Sequence, residues 1–297
     1  MKIFDCTTFY SEDMMMDVRF NILDKYVHKF IVVESLFSHS GKKKKLNFDI
    51  NNYPKFKDKI IYLVIENEPN DVISDSNLVK KQSIKRLNSL ARINQSYDFM
   101  QKGIESAEPN DLILLSDNDE IPNLESKQFK ESKKDLFIFK QLLFYYKFNL
   151  LYDLMPWFGS RACKKKILNS FSWLKNIKNK KYPIWRFDTF FSKYKNINLD
   201  IINDGGWHFT NIKTPSDLLI KMQNFGHHDE FDASGITLDD ITKKIKNKKV
   251  FYNHFADQSS PEKWNYEYEL KKIENKFLPS FLVKNKKEYI DWFDLND

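Results

Sequence analysis

The segment 111–122, Asp-Leu-Ile-Leu-Leu-Ser-Asp-Asn-Asp-Glu-Ile-Pro, joins a short apolar run to a cluster of acids. The run at residues 112–115 is short enough for a buried strand, and Pro122 blocks further strand pairing. Carboxylates at the end of a buried strand are costly unless they are compensated, and a divalent cation is the simplest compensation. A turn in which Asp and Asn bond their own backbone is the alternative. The carboxylates concerned are those of Asp117, Asp119 and Glu120.

Composition and charge narrow the classes of partner. The 297 residues suffice for one large domain or two modest ones, and 41% of them are hydrophobic. No glycine-rich phosphate loop occurs among the 7 glycines, so a nucleotide has to be held in another way. The net charge of +7 favours nucleotides, acidic glycans or a membrane surface as partners. The basic clusters at residues 42–45, 164–166 and 243–249 are typical of solvated faces, so nucleic-acid binding is not expected.

The cysteines and the N-terminal sequence bear on the compartment. Cys6 and Cys163 form neither a disulfide framework nor a CxxC metal pattern. The chain opens without a signal peptide, and its apolar runs are too short for a transmembrane helix. We therefore expect a cytoplasmic protein, with peripheral contact to the inner membrane surface through the basic clusters. The sequence does not indicate an oligomeric state.

The order of segments predicts an α/β fold. Apolar and β-branched runs predict strands at residues 3–6, 29–35, 60–65 and 112–115, with helices at 13–25 and 77–107. This order is typical of a Rossmann-type sheet flanked by helices, which binds ligands at the carboxyl ends of its strands. An aromatic-rich continuation follows, with strands expected at 136–140 and 142–148. We expect one domain over residues 1–235 and a helical C-terminal extension over 236–297.

Two glycines precede a Trp-His pair in the second half of the chain. The sequence there is Gly205-Gly206-Trp207-His208-Phe209-Thr210. Paired glycines at this point indicate a backbone that bends close to another group. His208 could ligate a metal or donate to a phosphate. The alternative is a buried aromatic strand with a hydrogen-bonded histidine.

Two sets of acids could carry chemistry. Asp117 and Asp119 stand at i and i+2, so an extended backbone places both side chains on one face. Mg²⁺ or Mn²⁺ held there would bridge to phosphate oxygens and neutralise a departing diphosphate. In the sequence His227-His228-Asp229-Glu230, either acid could serve as a general base. The alternative for that cluster is a helix C-terminus that collects histidines at its negative end.

Several motifs, in order along the chain, resemble the family 17 glycosyltransferases, the β-1,4-mannosyl-glycoprotein 4-β-N-acetylglucosaminyltransferase group. The most specific is Asp-Asn-Asp-Glu-Ile-Pro at 117–122, and Gly-Trp-His at 206–208 matches the end of the catalytic region. Residues 12–20 resemble the family's N-terminal helix, and residues 30–35 its strand ending in Glu-Ser. The luminal stem and membrane anchor of animal members have no counterpart here. The His228-Asp229-Glu230 region is closer to shorter microbial members.

The resemblance implies a GT-A-like fold and an inverting transfer of N-acetylglucosamine or a related hexose from a UDP-sugar to a glycan, helped by Mn²⁺ or Mg²⁺. Residues 1–122 would then form the nucleotide-sugar half and 123–235 the acceptor half. The implied metal residues are Asp117, Asp119 and His208. The implied nucleotide contacts are Glu34, Ser35, Lys44, Arg92 and Asp117. The implied proton acceptor is Glu230, with Glu120 and Asp188 in reserve, and the implied sugar-stacking residues are Trp157, Trp185 and Trp207.

Two other functions use the same residues. A metal-dependent phosphoester or nucleotide-sugar hydrolase would use the acids to activate water. A non-catalytic glycan-binding protein would need the aromatic side chains but not the acids.

Overall fold

A sheet flanked by helices is the framework of the protein. A computed structural model describes residues 1–75, 77–78, 81–183, 185–189, 191–256, 263–264 and 266–295. Within those ranges, ten strands join one sheet. The same ranges contain no helix that is both long and apolar enough to cross a membrane.

The helices and strands follow one another in mixed order. The strands are β1 Ile3–Phe9, β2 Lys29–Ser35, β3 Ile60–Ile65, β4 Leu112–Leu115, β5 Glu120–Pro122, β6 Leu136–Tyr145, β7 Leu150–Lys164, β8 Leu199–Ile202, β9 Gly206–Thr210, β10 Lys249–Val250, β11 Tyr268–Glu269 and β12 Lys271–Lys272. The helices are α1 Asp13–Leu23, α2 Gln82–Phe99, α3 Lys127–Glu131, α4 Phe171–Asn176, α5 Pro215–Met222, α6 His228–Ser234, α7 Leu238–Lys246 and α8 Ser280–Lys284.

The first half of the sheet is parallel. Its strand order is β3-β2-β1-β4, which is the order of a Rossmann-type half-sheet. Alternate residues of β4 pack on opposite faces: Leu112 and Leu114 join the core under α1, and Ile113 and Leu115 join the core under α2. Burial on both faces explains why β4 is a continuous apolar run. The predicted α/β fold class is therefore confirmed, and the bounds of β2, β3 and β4 match the prediction.

The second half of the sheet is mostly antiparallel and curls back toward the first. Strand β7 pairs with both β4 and β6, and β9 lies between β6 and β5. Ser160 of β7 accepts a hydrogen bond from Ser116 (2.7 Å) and donates one to the carbonyl of Glu120 (3.4 Å). The curl thus brings β5, at the end of the strand order, back beside the carboxyl end of β4.

Three local predictions differ from the structure. The expected break at Gln141 is wrong, because β6 is one strand whose pairing with β7 shifts register on either side of that residue. Pro122 does end a strand, but that strand is β5, which lies beyond β4 and pairs with β9. The C-terminal extension contains α7 and α8 and also short strands, and β12 pairs with β7 of the main sheet. The division into domains stays a prediction.

A buried ion pair holds the turn between β4 and β5. Arg19 of α1 donates to both carboxylate oxygens of Asp5 in β1, at 2.8 and 2.5 Å, and both side chains are fully buried. The same guanidinium donates to the carbonyl of Glu120 (2.5 Å) and to that of Asp117 (3.4 Å). A guanidinium can do this because it presents several donors in a fixed plane. One side chain therefore links the first strand, the first helix and the acid-rich turn.

The paired glycines allow β9 to approach its neighbours. A Cβ atom on Gly205 would lie 2.4 Å from the backbone nitrogen of Lys140. Gly206 has a φ of +104°, and a Cβ there would lie 2.3 Å from the carbonyl oxygen of Ile121. The sequence-based expectation of a close backbone approach is confirmed. This approach sets the β5–β9 register, in which His208 stands opposite Glu120.

We predict that Gly206→Ala destabilises the protein more than Gly235→Ala. Gly235 also has a positive φ, +71°, but a Cβ there meets nothing within 4 Å. The free energy of unfolding of the Gly235 variant should therefore fall only by the cost of a left-handed backbone, about 1–2 kcal/mol. Gly206→Ala adds a backbone clash to that cost. Urea unfolding measures both, and equal losses would contradict the close approach.

We predict that Arg19→Met lowers the free energy of unfolding by about 3–5 kcal/mol, because it leaves a buried carboxylate without its partner. The double variant Asp5→Leu, Arg19→Met should recover most of that loss, since it removes both charges. Denaturant titration of the two variants tests this. A loss below about 1 kcal/mol for Arg19→Met would show that Asp5 does not depend on the guanidinium.

Candidate active site

The turn after β4 closes on itself through Glu120. The backbone N–H of Glu120 donates to the carbonyl of Asp117 (3.0 Å), and the Glu120 carboxylate accepts the backbone N–H of Asp117 (3.1 Å). Its second oxygen accepts from Nε1 of Trp157 (2.8 Å). Glu120 is fully buried. This reserve candidate for proton transfer therefore shapes the turn, and the neighbouring aspartates are left to line a cavity.

Asp117 is held ionised by two neighbours. Its Oδ1 accepts from the hydroxyl of Tyr97 in α2 (2.9 Å), and its Oδ2 lies 3.0 Å from Nζ of Lys175 in α4. Burial acts to raise the pKa of Asp117, but the Lys175 ammonium and the Tyr97 hydrogen bond hold it below its usual value. The same surroundings raise the pKa of Lys175.

Asp119 lies between a histidine and a lysine. Its Oδ1 lies 3.4 Å from Nε2 of His208 in β9, and its Oδ2 lies 3.7 Å from Nζ of Lys221 in α5. Burial again opposes ionisation, yet these two neighbours hold the pKa of Asp119 well below its usual value. Asp119 is therefore a carboxylate at neutral pH. His208 is buried in β9, and its Nε2 faces Asp119, while its role as a metal ligand or phosphate donor stays a prediction.

A third acid stands beside this pair. Glu12, just before α1, accepts from the Asn118 amide (2.8 Å) and lies 3.4 Å from Nζ of Lys213. Burial opposes its ionisation, but Lys213 and Lys221 hold the pKa of Glu12 below its usual value. Three acids thus lie around the end of β4, each beside a lysine. The lysines are Lys175, Lys213 and Lys221. Each acid has a lysine nearby, and this local neutralisation offsets the free-energy cost of burying the charges.

A cavity of about 300 Å³ opens over these acids. Part of its wall is apolar or aromatic and comes from the ends of β1 and β2: Phe9, Tyr10, Val33 and Phe37. Another part is charged and comes from the turn after β4, from α2 and from α5: Asp117, Asp119, Arg86 and Lys221. His227, from the segment after α5, also borders the cavity. The carboxyl ends of three parallel strands therefore border one cavity, as expected for a ligand site of an α/β sheet.

The residues predicted to contact a nucleotide separate into two groups. Ser35 and Lys44 line the cavity. Glu34 is buried beneath it and accepts from Lys44, from the backbone of Asn47 (2.8 Å) and from Tyr62 (2.8 Å). Glu34 therefore orders the loop that carries Lys44.

Arg92, predicted to meet a pyrophosphate, is engaged with the protein. Its Nε donates to Glu68 (2.9 Å), and its Nη1 donates to the carbonyl of His39 (3.2 Å). Arg86, one turn and a half earlier on α2, lines the cavity instead. The Nη1 of Arg86 donates to the carbonyl of Gly226 (2.5 Å), and Lys44 and Lys221 line the same cavity.

The carboxylates predicted as proton acceptors lie apart from one another. Glu230 is buried in the first turn of α6, where it contacts His227 (2.7 Å) and Lys263 (2.5 Å). Asp188 is a partly exposed residue whose carboxylate pairs with Arg186 (2.7 Å) and Lys195 (2.6 Å). The interpretation of the His227 cluster as a helix C-terminus is wrong: α5 ends at Met222, and the cluster begins α6.

The three tryptophans occupy different surroundings. Trp157 stacks on His208, with 4.6 Å between ring centroids. Trp207 donates its Nε1–H to the carbonyl of Phe277 (2.7 Å), and Trp185 is 75% exposed. Trp157 thus supports the acid-rich turn and His208, and sugar stacking by any of the three stays a prediction.

The acids fit a metal that is shared with a substrate. Asp117 and Asp119 line one cavity, and Nε2 of His208 lies beside Asp119. Nδ1 of His208 is buried and meets no hydrogen-bond partner in the described part of the chain. Among the described residues, no three His, Cys, Asp or Glu side chains are arranged to hold a metal by themselves. The donors therefore suit Mg²⁺ or Mn²⁺ completed by substrate oxygens.

Sequence reasoning missed several of these residues. Tyr97 and Lys175 contact Asp117, and Tyr10 lines the cavity, but none was singled out as a site residue. Nothing local distinguishes Lys175 from the other lysines, since its role follows from the packing of α4 against α2 and β4. Tyr10 lies just after the end of β1, and this position at a strand end could have marked it as a site residue.

Comparison with known proteins identifies the family of the chain. The sequence model of glycosyltransferase family 17 matches residues 1–292. A search of curated proteins finds no match. Among solved structures, HddC from Yersinia pseudotuberculosis complexed with GMP-PN is similar over 68% of this chain and 91% of that one, with 14% identity and a TM-score of 0.32. The family match spans nearly the whole chain, and the protein belongs to glycosyltransferase family 17.

Proposed function

We propose that the protein transfers a hexose, N-acetylglucosamine or a related sugar, from a UDP-sugar to a hydroxyl of a glycan. The observation that carries the proposal is the pair of ionised, partly buried aspartates at the edge of a cavity that is also lined by cations and aromatic rings. Such a cavity offers separate surroundings for a base, a diphosphate and a sugar.

The aromatic part of the wall suits the nucleoside. Tyr10 and Phe37 offer faces for a pyrimidine ring, and Ser35 offers a hydroxyl for the ribose or the base. The Lys44 ammonium lies 5.2 Å from the centroid of the Tyr10 ring and adds positive charge there. We assign this part of the cavity to uridine.

The charged part of the wall suits the diphosphate. Lys221 and Arg86 supply fixed positive charge, and Mn²⁺ or Mg²⁺ held by Asp117 and Asp119, with His208 beside them, would neutralise the departing phosphate oxygens. Lys175 and Tyr97 keep Asp117 ionised and oriented before any ligand arrives. Preorganised charge of this kind stabilises a leaving group without reorganisation during the reaction.

An inverting transfer follows from a single displacement. The acceptor oxygen attacks the anomeric carbon, the bond from that carbon to the phosphate oxygen breaks, and the acceptor proton passes to a base. The protein must therefore place a proton acceptor on the acceptor side of the sugar.

We predict that UDP with Mn²⁺ raises the melting temperature of the protein. Ligand at about 100 times its Kd should raise it by on the order of 5 °C. Asp119→Asn should abolish the shift, because the charge that holds the metal is lost while the side-chain shape stays. Asp71→Asn, an exposed aspartate in the loop after β3, is the matched control and should keep the full shift. Absence of a shift with every nucleoside diphosphate and both metals would contradict the proposal.

We predict a new glycosidic bond when a glycan acceptor and a UDP-hexose are supplied together. Mass spectrometry of the products tests this, with UDP-N-acetylglucosamine first in a panel of UDP-hexoses. Release of UDP and free sugar alone, unaffected by any acceptor, would instead indicate a nucleotide-sugar hydrolase.

A further inference from the structure

His227 lies on the cavity wall and is held from behind by Glu230. Its Nδ1 lies 2.7 Å from Oε1 of Glu230, and its side chain is 29% exposed. Within the described part of the chain, no hydrogen-bond partner meets its Nε2. One ring nitrogen is therefore committed to the protein, and the partly exposed ring is among the side chains that line the cavity.

The contact with Glu230 decides which nitrogen carries the proton. A carboxylate only accepts hydrogen bonds, so Nδ1 must be the protonated nitrogen. In the neutral ring, Nε2 then holds a lone pair. Burial lowers the pKa of His227, although Glu230 acts to raise it, so the ring is neutral near pH 7. A neutral ring in this tautomer can accept a proton from a hydroxyl in the cavity.

Glu230 is placed to orient the ring rather than to meet a substrate. It is 5% exposed, and its two oxygens face His227 and the buried Lys263. Burial opposes ionisation of Glu230, but Lys263 and His227 hold its pKa below the usual value, so it stays a carboxylate. The charged groups acting on His227 are thus Glu230 and Lys263 from behind and Arg86 from α2.

We propose that His227, not Glu230, receives the acceptor proton, and that Glu230 is a positioning residue that fixes the tautomer of His227. The inference rests on the proposed transferase function. As the acceptor oxygen bonds to the anomeric carbon, its proton passes to Nε2, and the electron pair of the breaking bond leaves with UDP. The resulting imidazolium is stabilised by Glu230 and returns its proton to solvent after product release.

The first test is independent of activity. Nitrogen-15 NMR of the wild-type protein labelled at histidine distinguishes the two neutral tautomers and the cation, and the spectrum of His227→Asn assigns the signal. At pH 7 we expect protonated Nδ1 and unprotonated Nε2. A protonated Nε2 at pH 7 would overturn the proposal.

The second test measures turnover and UDP binding in the same variants. Asn retains a donor in the position of Nδ1 but has no counterpart of Nε2. His227→Asn should bind UDP as the wild type does and lose about 100-fold or more in kcat, the usual contribution of a general base. His28→Asn, a change at an exposed histidine, is the control and should keep full turnover. A kcat within threefold of wild type, or a change in KM alone, would overturn the role as base.

The pH profile separates positioning from simple structural support. In the wild type, kcat/KM should fall on the acid side with a pKa below 6.5, because protonation of Nε2 removes the base. Glu230→Gln should lower kcat and move this acid limb to lower pH, since the carboxylate that favours the imidazolium is gone. An unmoved limb would overturn the positioning role. Failure of the wild type to bind UDP would overturn the proposed function instead, and the NMR result would still decide the tautomer.

Discussion

The buried pairing of Arg19 with Asp5 is the constraint on which the site depends. A lone guanidinium or carboxylate at this depth would cost several kcal/mol, so each requires the other. The guanidinium of Arg19 has further N–H donors besides those that bind Asp5, and they donate to the carbonyls of Asp117 and Glu120. The buried ion pair between the first strand and the first helix therefore also fixes the backbone of the acid-rich turn.

The acids of that turn are ionised because cations arrive from distant parts of the chain. Lys175 comes from α4 and Lys221 from α5, each beside a different aspartate. Burial acts to raise the pKa of both carboxyls, and these partners oppose that shift. The site therefore carries negative and positive charges interleaved around one cavity.

The curl of the sheet explains why one edge collects residues from both halves of the protein. In a flat sheet, β7 and β6 would separate β9 from β4, although β5 follows β4 after a short turn. The hydrogen bonds of Ser160 and the close approach of Gly206 draw them back. His208 and Trp157 consequently stand beside the acids, and α5 and the start of α6 cover the cavity from the other side.

The family match indicates the class of activity, and the geometry of the site bears on the mechanism. Membership of glycosyltransferase family 17 establishes the class of activity. The contacts around His227 and Glu230 bear on how a proton could be moved, which membership does not address. They underlie our proposal that the imidazole, which lines the cavity, and not the buried carboxylate of Glu230, is the base.

The sequence by itself determined the parallel half of the sheet and the position of the acids. An apolar run of four residues that ends in Asp and Asn specifies a strand and its end through local chemistry, so the bounds of β4 were predicted correctly. The close approach at Gly206 was readable for the same reason, because glycine alone tolerates it. Only the tertiary structure decided the partners of those acids, the engagement of Arg92 with Glu68, and the seat of Glu230 behind His227. The contacts of the acids and of Arg92 join residues far apart in the chain, which no local spacing of residue types encodes. Glu230 and His227 are only three residues apart, and they meet because α6 begins between them.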